Sequence, residues 1–220
     1  MPLAKLKLKS KAKTEHTVDE YLKMERAAVE RHEYIGGEII KMAGESDEHG
    51  VVSANLSGEI YIQLKGKNCQ LRIKDAKIKS GGFAQIPGKS TKGMFSYPDL
   101  VVIYGEVVYH DKKKDVILNP KVIIEVLSDS TEVFDRSDKF IRYSMFNETL
   151  TDYVLVSQEV PQIEHFIRQD DHSWKQYRFI GLDKICRIES IECSLNLNEV
   201  YDRIVFSKKT LDFLREIENI

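Results

Sequence analysis

Apolar residues along this chain repeat with two different periods, and the changes of period mark out its elements. Val52, Leu56, Ile60 and Leu64 recur every fourth residue, which predicts a helix starting near Ser46. Before it, "TVDE" places Thr17 three residues ahead of Glu20, a capping-box pattern that predicts a first helix running to about Val29. "HEYIGGEIIKMAG" reads as a hairpin turning at Gly36–Gly37. "CQLRIKDAKIK" reads as one strand, and "SGGFAQIPGKSTKGMFS" as a long loop bounded by glycines and a proline. The strand "YPDLVVIYG" follows, then a short strand with a charged turn in "EVVYHDKKKDVILNP", then the β-branched run 121–127. A helix is expected from about Thr131 or Phe134 to Phe146, and strands in "TDYVLVSQ", "QIEHFIR" and "WKQYRFI". Short helices in "LNLNEVYDRI" and "SKKTLDFLREIENI" end the chain. This order argues for an α/β fold, bordering on α+β, around a mixed sheet. The expected division is a basic arm over 1–16, a domain over 17–205 and a C-terminal helix over 206–220.

Two positions break the apolar pattern. Asp99 sits in "YPDLVVIYG", and Glu125 sits inside Val122, Ile123, Ile124, Val126 and Leu127. A carboxylate in a buried strand is costly unless something pairs with it. Alternation puts Asp99, Val101 and Ile103 on one face, and Ile123, Glu125 and Leu127 on one face. If the strands are neighbours, the two acids converge. A shared divalent cation would then relieve their repulsion, and oxygen ligands favour Mg²⁺ or Mn²⁺. A cap role for Asp99 or a salt bridge to Glu125 is the plain structural alternative. In "DRSDKFIRY", Asp135, Lys139 and Tyr143 share a helix face, so Lys139 can fold back over the end of the strand. An ordinary Asp135–Lys139 surface pair accounts for the same spacing.

Composition narrows the classes. The chain has 33 Lys plus Arg against 35 Asp plus Glu, so only a local basic patch would point to nucleic acid. Lysines at 5, 7, 9, 11 and 13 fit a solvated tail or a nucleic-acid-contacting arm. Cys69, Cys186 and Cys193 lack metal-ligand spacing and fit reduced thiols in a cytoplasmic protein. No apolar run is long enough for a membrane span. Trp174, Tyr177 and Phe179 read as sheet-face residues, and neither Gly36–Gly37 nor Gly81–Gly82 matches a nucleotide-binding loop.

The strings "YPDLVVI", "NPKVIIEVLSDSTEVFDRSDKFIRYSMFNETLTDYVLVS" and "HEYIGGEIIKMAGESDEHGVVSANLSGEI" together resemble the Uma2/DUF820-like, restriction-endonuclease-like family of the PD-(D/E)XK nuclease superfamily. The resemblance covers roughly residues 17–205. It implies a mixed central sheet flanked by helices, with Asp99 and Glu125 as metal ligands for Mg²⁺ or Mn²⁺. It also implies hydrolysis of a phosphodiester by a metal-activated water. The superfamily's usual lysine lies two residues after the second acid, where this chain has Leu127. Lys139 is the matching position on the helix, and Lys121, about 13 Å along the strand from Glu125, is its competitor. Glu38 and His49 match further family elements and are supporting candidates, with Asp135 and Tyr143. The expected activity is a homodimeric endonuclease acting on DNA. A nuclease-fold binding or regulatory module, and RNA as substrate, are the alternatives.

Overall fold

A computed structural model describes residues 15–81, 93–129 and 131–218. Most of the basic arm and the middle of the glycine-bounded loop lie outside the described residues.

Helix α1 (Val18–Glu25) opens on the capping box read from the sequence: the Thr17 N–H donates to Glu20 Oε2, and the Glu20 N–H to Thr17 Oγ1. β1 (His32–Ile35) and β2 (Glu38–Lys41) form a hairpin. Its turn needs Gly36 at φ 58° and Gly37 at φ 105°, conformations that glycine adopts without steric cost. α2 (Asp47–Leu64) is capped by Ser46, whose Oγ accepts from the His49 N–H. β3 (Cys69–Ile73) and β4 (Lys77–Ser80) follow. The expected single strand is thus two strands in different sheets. The chain breaks at Lys74, which takes a left-handed φ of 51°.

β5 (Met94–Ser96), β6 (Leu100–Tyr104), β7 (Val116–Ile117) and β8 (Val122–Leu127) come next. The helix after β8 is continuous in three parts: α3 (Glu132–Phe134), a π-helical turn (Asp135–Lys139) and α4 (Phe140–Phe146). β9 (Asp152–Ser157), β10 (Gln162–Arg168) and β11 (Trp174–Ile180) are the three expected strands. β12 (Ile185–Ile188) and β13 (Cys193–Asn196) form a further hairpin absent from the sequence reading. α5 (Leu197–Val200) and α6 (Lys208–Glu218) close the described chain.

The strands build a six-stranded sheet, β11-β10-β9-β8-β6-β3, and a five-stranded sheet, β2-β1-β5-β4-β7. Both are mixed: β8 runs parallel to β9 and antiparallel to β6, and β4 runs parallel to β7. On one face of the larger sheet, Val102, Ile124, Val126 and Val154 pack against Val52, Leu56 and Ile60 of α2 and against the β12–β13 hairpin. On the other face, Val101, Ile123, Leu127 and Tyr153 pack against Tyr143 of α4 and against Ile78 and Met94 of the smaller sheet. The predicted helical stripe of α2 and the predicted strand faces are these two cores. Among the described residues no helix is long and apolar enough to cross a membrane.

Candidate active site

The β6–β8 ladder brings the two acids together. Leu100 pairs with Ile124 and Val101 with Ile123, so the next step of this register sets Asp99 opposite Glu125. Asp99 lies just before β6, and its Oδ2 accepts the Val126 N–H at 2.7 Å. That bond fixes one carboxylate oxygen to the backbone of the neighbouring strand. Glu125 is 3% exposed and shares the face of Ile123 and Leu127, the face covered by α4.

The chain turns back directly after β8, because Ser128 O accepts the N–H groups of Thr131 and Glu132. This turn lays the π-helical segment over Glu125. Lys139 Nζ reaches 3.0 Å from Glu125 Oε1, 3.1 Å from Asp135 Oδ1 and 3.5 Å from Glu33 Oε1. The Asp135–Lys139 pair of the sequence reading therefore forms, but buried and turned inward instead of lying on the surface. Glu33 is held in place by the Tyr97 N–H, which donates to its Oε1. Lys121 stands at the foot of β8, where its N–H donates to Val102 O, and it does not line the cleft described below.

Two buried carboxylates, Glu125 and Asp135, and the partly buried Glu33 thus face one ammonium. Burial pushes the Glu125 carboxyl well above its usual range; the charge of Lys139 opposes this, while Asp135 and Asp99 add to it. Burial works against the charge of Lys139, but Glu125, Glu33 and Asp135 more than offset it and hold the lysine well above its ordinary value. Lys139 is therefore an ammonium with an excess of negative charge around it. Glu125 Oε1 and Asp135 Oδ1 are both closed off from water, and the shared Lys139 ammonium is what meets them.

A second group meets Asp99 from the other side of the sheet. His49, near the start of α2, places Nε2 3.3 Å from Asp99 Oδ2 and Nδ1 3.4 Å from Glu45 Oε2. Burial lowers the basicity of His49, but the hydrogen bond and charge of Asp99, with the charge of Glu45, leave it above its usual value. One donor atom from each of Glu45, His49 and Asp99 lies within 4.8 Å of the others, close enough for one ion. The Lys74 ammonium also pairs with Glu45.

Glu33, Glu38, His49, Asp99, Glu125 and Asp135 all line one cleft of about 1010 Å³, together with Lys139. Tyr143 does not line it. Its ring is fully buried and its hydroxyl shares a 2.7 Å hydrogen bond with Ser96, so it packs beneath the site. Sequence reasoning missed Glu33 and Glu45. Glu33 alternates with buried Tyr34 in β1 and so faces away from it, and Glu45 lies four residues before His49, a spacing that brings two side chains together.

A mixed sheet flanked by helices, with paired acids at the end of its central strands, is the architecture of a restriction-endonuclease-like protein. The crystal structure of a "putative nuclease belonging to DUF820" from Anabaena variabilis has the same fold, with a TM-score of 0.67 at 15% identity, covering 86% of this chain and 99% of that one. The chain belongs to the Uma2 family, described as "Putative restriction endonuclease", whose profile matches residues 18–198. Two uncharacterized proteins of Synechocystis sp. are similar along most of their length. One is 33% identical over 189 residues (86% of this chain, 92% of the relative), the other 30% over 165 residues (75% and 88%).

Proposed function

We propose that this chain is a divalent-metal-dependent endonuclease that hydrolyses phosphodiester bonds of DNA. The observation that carries this reading is the Glu125 carboxyl group, buried opposite Asp99, whose Oε1 is closed off from water and meets an ammonium that it shares with two other acids. The donor set fits a cation: hard carboxylate oxygens in excess over the one ammonium among them, with a histidine alongside. Asp99 and Glu125 are the ligands of this reading, and His49 and Glu45 complete the donor set on the far side of Asp99. Oxygen ligands suit Mg²⁺, and the imidazole adds a preference for Mn²⁺. When bound, the ion supplies positive charge beside the phosphodiester and acidifies the attacking water.

The chain's own residues supply the rest. Lys139, held as an ammonium by Glu33 and Asp135, orients the attacking water and offsets charge that develops on the phosphoryl oxygens. Its high proton affinity favours these donor roles over that of general base. Glu38 adds a carboxylate to the cleft wall, and Tyr143 supports the helix from below. Cutting both strands of a duplex with one site per chain favours a two-fold dimer, which light scattering would register.

The test is a cleavage assay on DNA and RNA substrates across a titration of Mg²⁺ and Mn²⁺. Metal-dependent DNA cleavage that Asp99→Ala and Glu125→Ala each abolish supports the reading. Cleavage of RNA alone moves the substrate. Metal binding without cleavage of any nucleic acid sinks the enzyme and leaves a binding module. Loss of cleavage in Lys121→Ala but not in Lys139→Ala would transfer the lysine role.

A further inference from the structure

Acids outnumber Lys and Arg three to one on the wall of the cleft and repel a polyanion, so the few cations there decide where a nucleic-acid backbone can rest. Three of its lining residues are Lys or Arg: Lys41, Lys139 and Arg142. Lys41 is paired with Glu30 at 2.6 Å, and Lys139 is held by three carboxylates. Arg142 differs from both. It lies three residues beyond Lys139, on the same side of the helix, and is 5% exposed. Its guanidinium forms no ion pair and donates no hydrogen bond among the described residues, and Nη1 is closed off from water as well. Burial lowers its basicity, and the charge of Asp138, one turn back, is what opposes that loss.

A buried guanidinium with unused donors is destabilising unless an anion completes it. Arg142 and Lys139 line the same cleft, which is where such an anion would enter. A guanidinium presents two parallel N–H groups that match two oxygens of a phosphate, a geometry that an ammonium lacks. We propose that Arg142 is the phosphate-binding residue of this cleft, taking a backbone phosphate of the nucleic acid next to the bond cleaved at Asp99 and Glu125. This rests on the nuclease reading for the source of the phosphate, but not for the anion site itself. Arg142 positions the substrate and, among the described residues, forms no ion pair or hydrogen bond with a proposed metal ligand.

The experiment measures two ligands on one set of variants. Binding of a labelled DNA duplex is followed by fluorescence anisotropy over a salt series, with Ca²⁺ in place of Mg²⁺. Thermal unfolding is followed in inorganic phosphate against chloride at equal ionic strength. Arg142→Gln and Arg142→Met are expected to weaken duplex binding about tenfold. They reduce the slope of log affinity against log salt by about 0.9, the loss of one phosphate contact. Arg142→Lys restores the slope but only part of the affinity. Phosphate raises the unfolding temperature of the parent protein and not that of Arg142→Met, and the Mn²⁺ affinity of all variants is unchanged. Should the Arg142 variants fail to fold, Asp138→Asn, which removes the competing charge, tightens duplex binding about twofold. Equal duplex binding, salt slope and phosphate response in Arg142→Gln and the parent would overturn the proposal. A phosphate response that depends on Arg142 without any nucleic-acid binding keeps the anion site, makes free phosphate its ligand, and rejects the nuclease reading instead.

Discussion

Replacing Lys139 by Met removes the cation that faces two buried carboxylates and a third that is partly buried. Its Nζ lies 3.0, 3.1 and 3.5 Å from oxygens of Glu125, Asp135 and Glu33. At an effective dielectric of about 20, each contact is worth about 5 kcal/mol before desolvation is counted. Desolvation of the four groups and repulsion among the acids consume most of that sum. The observable loss is the cost of stranding buried charge, about 3–5 kcal/mol. Against a folding free energy of about 5–15 kcal/mol this is a large fraction. Urea denaturation at neutral pH without divalent ions reads it as a midpoint lowered by about 2 M. Glu125→Gln behaves differently, because Lys139 keeps Asp135 and Glu33 while one repelling charge disappears. Its stability stays within about 1 kcal/mol of the parent. The double variant recovers about 1–2 kcal/mol relative to Lys139→Met alone, since the two residues are in direct contact. A divalent ion at one hundred times its dissociation constant stabilises the folded state by about 2.7 kcal/mol, offsetting most of the loss. A Lys139→Met variant that loses less than about 1 kcal/mol, or strict additivity in the cycle, would refute the charge count on which the site is built.

Three other outcomes follow from the same geometry. Asp152 accepts hydrogen bonds from His165 Nε2, Thr151 and Ser190; burial alone would raise its pKa, but these bonds hold it below the usual carboxylate range. A depressed carboxyl contributes stability above its unfolded pKa of about 3.9, and that contribution is lost as pH falls through the lower folded value. Asp152→Asn is therefore expected to remove this part of the acid unfolding curve and to cost about 2 kcal/mol at neutral pH, read by denaturant titration across pH. Tyr143→Phe strands the hydroxyl of fully buried Ser96 and costs about 1–2 kcal/mol in thermal or urea unfolding, with cleavage rates and metal affinity unchanged. His49→Gln lowers Mn²⁺ affinity about tenfold in calorimetry and leaves Mg²⁺ affinity nearly as it was, because the imidazole is the ligand that Mn²⁺ prefers.

Much of this arrangement is legible in the sequence, and what is not has a common cause. The two acids stand out because each interrupts an apolar strand, and period-2 alternation already assigns Asp99 to the face of Val101 and Glu125 to that of Ile123. Only their mutual register needed the structure, and the Leu100–Ile124 pair supplies it. The fourfold spacing in α2 is strong enough to survive without tertiary information, and Val52, Leu56, Ile60 and Leu64 are all core. The break at Lys74 was hidden because lysine carries no sequence signal for a left-handed backbone, whereas Gly36–Gly37 does. β12 and β13 were missed because each alternates over only four residues, too short a run to separate from a loop. Glu45 is tied to His49 by their spacing of four, but that both reach Asp99, and that Glu33 reaches Lys139, depends on the approach of α2 to the sheet end and on the pairing of β1 with β5, which no local pattern encodes.

The position of the lysine shows how packing decides chemistry here. Two residues after Glu125, where the superfamily's usual lysine is expected, Leu127 shares the face of Ile123 and packs with Tyr143, Tyr153 and Leu155. A lysine there would share the face of Glu125, but its stem and ammonium would have to displace the apolar layer that Leu127 fills. The helix covering that same layer offers another route. Its π-helical turn runs directly over the end of β8, and such turns recur where a helix must aim side chains at a functional site. Lys139 enters from above with Asp135 one turn before it, so its counter-charges arrive on the same element and on β1 as well as on the strand. The presence of Leu127 is therefore weak support for an inactive module: an ammonium stands 3.0 Å from Glu125 whichever element carries it. What the displacement changes is the surroundings of the lysine. An ammonium held by Glu33 and Asp135 as well as Glu125 has its proton affinity raised, so in the endonuclease proposed above its part is that of a fixed donor and not of a general base.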